Sequence, residues 1–237
     1  TLDKVVIVAA LGGFFIRTGN LMNSEIYGKP SGSNYGIVFA RDFTRLLTYG
    51  DDDKYIKKVY YVKAADDTVR VPDAVPLDLK IVLSNKIKTE TIADDFTRKI
   101  LSFALYKRDY QDNIVHPDLE ELAIHREKSD RNFVMTARVY GIPRHPSQIY
   151  ESCSYLLIFF VLLGVYLKYH SKLREGFILG AFFFLIFGAR FFIEFVKENQ
   201  EAFEEGLTLN MGQILSLPFA VLGIVIMILR WPKAKTP

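Results

Sequence analysis

Sulfur, tryptophan and histidine are scarce in this 237-residue chain, which has one cysteine, one tryptophan, four methionines and four histidines. A single thiol, Cys153, excludes an internal disulfide framework and any zinc or iron–sulfur site built from several cysteines. At the start of an apolar run, that thiol reads as packing rather than as a nucleophile. There is no excess charge of either sign to speak of: 30 Lys+Arg against 27 Asp+Glu leave +3, no electrostatic footprint for nucleic acid. An apolar content of 50% excludes a disordered chain. HExxH, P-loop, GxSxG and dinucleotide fingerprints are all missing, so no metal, nucleotide or other cofactor is implied. Internal repeats and low-complexity tracts are missing too.

Over long stretches the chain also lacks charge. SYLLIFFVLLGVY (154–166) carries none. GFILGAFFFLIFGA (176–189) carries none and continues through Arg190 to Glu194, and MGQILSLPFAVLGIVIMIL (211–229) is the third such run. Crossing the hydrocarbon core takes ~20 apolar residues in a helix, and with their flanks all three reach it. VVIVAALGGFFI (5–16) is too short to span alone and runs into Arg17 and a polar segment. It has no signal-peptide n-region or cleavage site, and the first residue is Thr1 rather than Met. The expectation is that the natural protein has more sequence upstream and that this chain starts inside or just before a spanning helix.

Basic residues set the expected topology. Lys168, Lys172 and Arg174 separate the second and third spans, and Arg230, Lys233 and Lys235 follow the fourth, whereas KENQEAFEEGL (197–207) is acidic. The 168–174 loop and the C-terminus are therefore expected in the cytoplasm, with the acidic connection and the long segment before the second span outside. That segment, 29–145, holds 20 of the 30 basic and 18 of the 27 acidic residues, like an ordinary soluble domain. Strands are predicted over 59–63, 77–83 and 133–140. A helix is predicted over 92–106 from Ile92, Phe96, Ile100, Leu101 and Leu105. Asp51 to Asp53 and Asp66–Asp67 read as turns, and His116, His125 and His170 as solvated loop residues. The fold class is thus a membrane all-α polytopic bundle of about four transmembrane helices with a small α+β extracytoplasmic insertion domain. The divisions are 1–28, 29–145 and 146–237.

Charge inside a spanning segment is costly, roughly 2.5–3.5 kcal/mol per residue on insertion scales, so such residues usually line a cavity or pathway. Three clusters qualify. Arg17, Asn20 and Ser24 would share a helix face, with Asn23, Glu25 and Gly28 beyond. An arginine fork beside carboxamides suits a phosphate or carboxylate; an Arg17–Glu25 ion pair closing the helix is the alternative. Arg144, His145, Ser147, Gln148, Tyr150 and Glu151 surround Pro146, which suits a first helical turn. Glu151 there could favour the helix dipole and His145 could exchange a proton, or the cluster is a cap with interfacial anchors. Arg190 and Glu194 form an i, i+4 pair in the third span, either self-neutralising or facing a polar cavity. Asn210, Gln213 and Ser216 add uncharged polar groups nearby.

In that order these clusters resemble the bacterial prolipoprotein diacylglyceryl transferase family. IRTGNLMNSEIYG (16–28) is similar to its Arg, Gly-Asn, Asn, Glu, Gly signature, and RHPSQIYE (144–151) to its second block. GARFFIEF (188–195), followed by LNMGQILSLP (209–218), is similar to the C-terminal block. The insertion resembles members from Bacteroides-like bacteria. The resemblance implies a multi-pass enzyme of the bacterial inner membrane. It would move the diacylglyceryl group of phosphatidylglycerol to the lipobox cysteine thiol of a preprolipoprotein, releasing glycerol phosphate, with membrane lipids as its surroundings. It makes Arg17, Arg190 and Glu194 the catalytic candidates, Glu194 holding Arg190. Arg17, Asn20, Asn23, Glu25, Gly28, His145, Gln148, Tyr150 and Glu151 become the substrate contacts. The family's upstream His-Gly-Gly block, whose histidine is a natural proton acceptor for the thiol, has no counterpart here, and the resemblance does not assign that role to His145. The chain therefore reads as a C-terminal fragment, expected to be inactive or weakly active alone. From the residues without the resemblance, a transporter with an Arg/Glu-lined pathway or a membrane-anchored scaffold stays open.

Overall fold

The structure, a computed structural model, describes residues 2–33, 35–49, 54–65, 71–106, 113–118, 122–129, 132–198 and 208–231. In chain order the helices are α1 (Leu2–Asn23), α2 (Arg41–Leu47), α3 (Glu90–Tyr106), α4 (Ser147–Tyr169), α5 (Phe177–Ile193) and α6 (Met211–Leu229). The strands are β1 (Ile56–Lys63), β2 (Val75–Leu83), β3 (Ile114–Val115), β4 (Ile124–Ser129) and β5 (Asn132–Gly141). The residues cluster into two compact units, Thr1–Lys29 with Pro146–Pro237, and Pro30–His145.

The first unit is helical. Leu2–Asn23, Ser147–Tyr169, Phe177–Val196 and Met211–Leu229 are each long and apolar enough to cross a membrane. Their large apolar side chains are widely exposed, Leu2, Val8, Phe15, Leu157, Phe160 and Ile228 among them. That is stable only in an apolar solvent, where helices satisfy their own backbone groups. Where helices do meet they interdigitate: Val6, Ile7 and Ala10 of α1 pack with Tyr155, Ile158 and Leu162 of α4 and Ile178 of α5. α5 and α6 approach through glycine, since a Cβ on Gly180 would meet the Gly223 carbonyl at 2.9 Å. Small residues at such crossings let backbones touch in the absence of a hydrophobic driving force. Asn210 starts α6 with a reciprocal capping box to Gln213.

Two helices outrun their uncharged segments. α1 continues to Asn23, and α4 begins at Ser147 rather than 154, because apolar runs mark the lipid-matched part of a helix and not its backbone hydrogen bonding. The buried stripe of α4 takes in Ser147, Gln148, Glu151, Ser152, Tyr155, Ile158 and Leu162. Cys153 lies off that stripe and is exposed, which overturns its reading as a packing residue.

The second unit is an antiparallel sheet in the order β1-β2-β5-β3, with β4 also on β5. β5 alternates buried and half-buried residues from Asn132 to Val139, the period-2 mark of a strand with one covered face. Leu79, Ile81, Leu83, Met135, Ala137 and Val139 form that face, and Ala93, Ile100, Leu101, Ala104 and Leu105 of α3 cover it. Arg126 on β4 ties to Glu90 and Asp94 of α3. The 59–63, 77–83 and 133–140 strands and the 92–106 helix are present with slightly wider bounds. Ile92 nevertheless faces out, 55% exposed, and Ala93 and Thr97 take the inner positions. β4, IHREKS, has almost no apolar signal and places His125 in a strand rather than a loop. Asp51 to Asp53 and Asp66–Asp67 lie outside the described residues.

Candidate active site

One end of the helical unit gathers the buried Glu151, Glu194 and Lys197. Along α1 the inward face runs from Asp3 through Val6, Ile7 and Ala10, and the same helical repeat brings Arg17 inward. Arg17 Nε lies 3.0 Å from Glu151 Oε2 on α4, whose side chain is fully buried. Its partner is therefore Glu151, and neither the Arg17–Glu25 pair nor a dipole role for Glu151 survives: Glu25 is exposed and Glu151 is a buried counter-ion. Tyr155, one turn along α4, lies within electrostatic reach of Glu151, Arg17 and Arg190.

The polar segment after α1 does not continue the helix. Ser24 and Ile26 have φ of 56° and 58°, the left-handed region that costs a β-branched residue most. Ser24 thus leaves the face shared by Arg17 and Asn20. The strained turn is held by the first residues of α4: Ser147 Oγ donates to the Ile26 carbonyl at 2.9 Å, and Gln148 Nε2 to the Glu25 carbonyl at 2.7 Å. Strain of this kind persists only where surrounding contacts over-determine it. Asn20 is half-buried, Gly28 buried, and Asn23 and Tyr150 exposed. His145 is the last residue of the other compact unit.

At the end of α5 the backbone tightens into a 3-10 turn over Glu194–Val196. Up to Glu194 the helix keeps its geometry, with the Glu194 N–H donating to the Arg190 carbonyl, so the i, i+4 spacing is kept although the side chains do not pair. Among the described residues no ion pair joins those two. Glu194 Oε2 instead lies 3.5 Å from Lys197 Nζ, and the same ammonium lies 3.8 Å from Glu151 Oε1. Lys197 is 3% exposed at its side chain. Its backbone bridges Gly28, and Lys29 N–H donates to the Val196 carbonyl at 2.9 Å. Gly212 on α6 leaves room for the Glu194 carboxylate, which a Cβ there would strike. Arg190 Nε is buried without a hydrogen-bond partner, as is Gln148 Oε1.

Charges therefore alternate Arg17–Glu151–Lys197–Glu194, with Arg190 as the unmatched cation: three cations to two carboxylates. Lys197 is the member that motif reading missed, since it opens a stretch read only as an acidic connection. The signal for it was its position three residues after Glu194. Such a set, largely buried and one positive charge in excess, suits a singly charged anion such as a phosphate ester or a carboxylate.

A profile of the prolipoprotein diacylglyceryl transferase family matches residues 1–229. The chain belongs to that family. A Bacteroides fragilis protein named phosphatidylglycerol–prolipoprotein diacylglyceryl transferase is 49% identical over 90 residues, 38% of this chain and 32% of the relative. Proteins of the same name from Tolumonas auensis and Chloroherpeton thalassium are 46% and 41% identical over 96 and 90 residues. Those matches cover 40% and 38% of this chain and 37% and 34% of the relatives. The chain spans about a third of the length of the curated relatives it matches. Arg17, Glu151, Arg190 and Glu194 come from the three blocks that resemble this diacylglyceryl transferase family.

Proposed function

We propose that the chain is the phospholipid-handling part of an enzyme that moves the diacylglyceryl group of phosphatidylglycerol to the lipobox cysteine of a preprolipoprotein. The observation that carries this is the surplus cation: Arg190, whose Nε is buried and unpartnered beside a set already neutralised pairwise. In the reaction the cysteine sulfur bonds to the terminal glyceryl carbon as that carbon's bond to the phosphate oxygen breaks. The bonding pair leaves with glycerol phosphate, and the thiol, of ordinary pKa ≈ 8.5, gives its proton to a base. Arg190 and Arg17 would bind the phosphate and stabilise the charge growing on it as it departs. Glu151 would orient Arg17, while Asn20, Asn23, Glu25, Gly28, Gln148, Tyr150 and His145 would shape the head-group and peptide sites.

The proposed setting is the bacterial inner membrane. Lys168, Lys172, Arg174 and Arg230 support a cytoplasmic 168–174 loop and C-terminus, which puts the sheet-bearing insertion on the extracytoplasmic side. The test uses the protein as the cell makes it, with phosphatidylglycerol and a lipobox peptide, and reads the peptide's mass gain and the glycerol phosphate released. Arg190→Ala and Arg17→Ala should each lower transfer by about 10²–10³ while membrane insertion is unchanged, the scale of losing one preorganised charge donor. Wild-type transfer rates in both variants would sink the reading.

A further inference from the structure

Glu194 follows Arg190 at the spacing by which helical side chains meet, yet its carboxylate is turned elsewhere. The backbone does not turn it, since the Glu194 N–H still donates to the Arg190 carbonyl. Gly212 leaves room for the carboxylate against α6, and Asn210 Nδ2 ties the start of α6 to the Glu194 carbonyl at 3.3 Å. Lys197 then compensates the charge, with its ammonium 3.5 Å from Glu194 and 3.8 Å from Glu151. We propose that Lys197 is a positioning residue that withholds Glu194 from Arg190, so that Arg190 keeps its donors for an anionic phosphodiester.

The physical reason is the cost of an uncompensated buried charge. Without Lys197, Glu194 would be a buried carboxylate, 8% exposed at its side chain, with no cation. The expense of that state favours another cation, and Arg190, four residues back on the same helix, is at the spacing to supply it. Arg190 would then be neutralised and turned from the ligand. Lys197 need not touch the lipid to control the site. The identity of the anion as a phosphatidylglycerol phosphate rests on the function proposed above; the withholding of Glu194 does not.

Two readouts on the purified full protein separate the two ideas. Phenylglyoxal modification of the Arg190-containing peptide, followed by mass spectrometry, reports whether that guanidinium is paired, with no lipid present. Native mass spectrometry against phosphatidylglycerol and phosphatidylcholine reports the ligand. Lys197→Met should slow Arg190 modification about fivefold and weaken phosphatidylglycerol binding about tenfold, as for a lost buried charge contact. Lys197→Arg should keep both within about threefold of wild type. So should the double variant Lys197→Met with Glu194→Gln, which removes the competing carboxylate together with its cation. Should Lys197→Met fail to fold, the double variant, which buries no orphaned charge, decides alone. Equal Arg190 modification in wild type and Lys197→Met overturns the proposal, and so does a double variant that stays slow and weak. Wild type without preference for phosphatidylglycerol, but with the modification pattern intact, overturns the transferase reading and leaves the Lys197 assignment standing.

Discussion

Glu151→Gln is the most informative single change in the helical unit, because it alters charge and almost nothing else. The carboxylate is fully buried, 3.0 Å from Arg17 and 3.8 Å from Lys197. At an effective dielectric of about 20 the two attractions amount to roughly 5 and 4 kcal/mol before desolvation. Part of that is offset by the cost of burying the carboxylate, and breaking such a pair from one side costs about 3–5 kcal/mol net. Lys197 keeps Glu194 in the variant, so the orphan is Arg17 and the lower figure, about 3 kcal/mol, applies. For a chain of this size that is a fall in Tm of roughly 6–12 °C. Thermal unfolding in detergent, followed by circular dichroism, measures it. Thiol-reactive dyes would mislead, since Cys153 is exposed in the folded protein. Because the pair is buried, the difference from wild type should persist from 0.1 to 1 M salt. Co-melting of the two proteins, or a gap that closes at high salt, would refute the geometry argued for this network.

Two further changes probe the supports of each unit. Asp3 accepts from the Gly176 and Leu179 backbone N–H groups at 2.8 and 2.9 Å, capping α5 from another helix. Asp3→Ala should therefore lower stability by about 1–2 kcal/mol, the usual cost of a lost cap, read as a Tm a few degrees below wild type. In the sheet-bearing unit, burial pushes the Tyr61 hydroxyl up to about 12, partly offset by its hydrogen bond with Thr44. The folded state holds the neutral phenol, so this contribution is complete below pH 10 and is lost as pH rises from 10 towards 12. The loss is about 2–3 kcal/mol. Denaturant titrations across that range should show a steeper decline for wild type than for Tyr61→Phe; parallel declines would contradict it.

What the sequence made legible was whatever a run or a period could carry. The three uncharged runs located spanning helices, and the alternation in FVMTARVY located β5. Arg17, Glu151, Arg190 and Glu194 stood out because charge is anomalous in such company. Their pairing was illegible. Arg17 has Glu25 eight residues away on the same segment, but its partner is Glu151, brought in by packing of α1 on α4. Arg190 and Glu194 keep their helical spacing and still do not pair, because Gly212 leaves room for the Glu194 carboxylate against α6 and Lys197 Nζ lies 3.5 Å from it. β4 was missed since its residues IHREKS are fixed by pairing with β5, a tertiary fact with no local propensity behind it.

The matched blocks divide into two kinds of work, and this bears on which of their residues meet substrate. Non-helical backbone at membrane depth is tolerated only where protein or a polar cavity satisfies it. Two pieces of non-helical backbone meet at one end of this unit, the strained turn after α1 and the 3-10 turn after α5, joined by the Lys29–Val196 hydrogen bond and the Gly28–Lys197 bridge. Ser147, Gln148 and Asn210 donate into them, to the carbonyls of Ile26, Glu25 and Glu194. Residues that resemble ligand contacts in a motif are thus partly occupied with holding backbone. Gln148 shows both sides: its Nε2 is committed to Glu25, which fixes the amide's orientation, and its buried Oε1 has no partner. A substrate contact by Gln148 can therefore use the free Oε1, accepting from a hydroxyl or N–H of the ligand, or the second N–H of Nε2, which the bond to Glu25 leaves available. Under the proposed function the phosphate falls to the arginines because they carry the charge that Gln148 lacks, and among them Arg190 is the one whose neighbouring carboxylate, Glu194, lies against Lys197 instead.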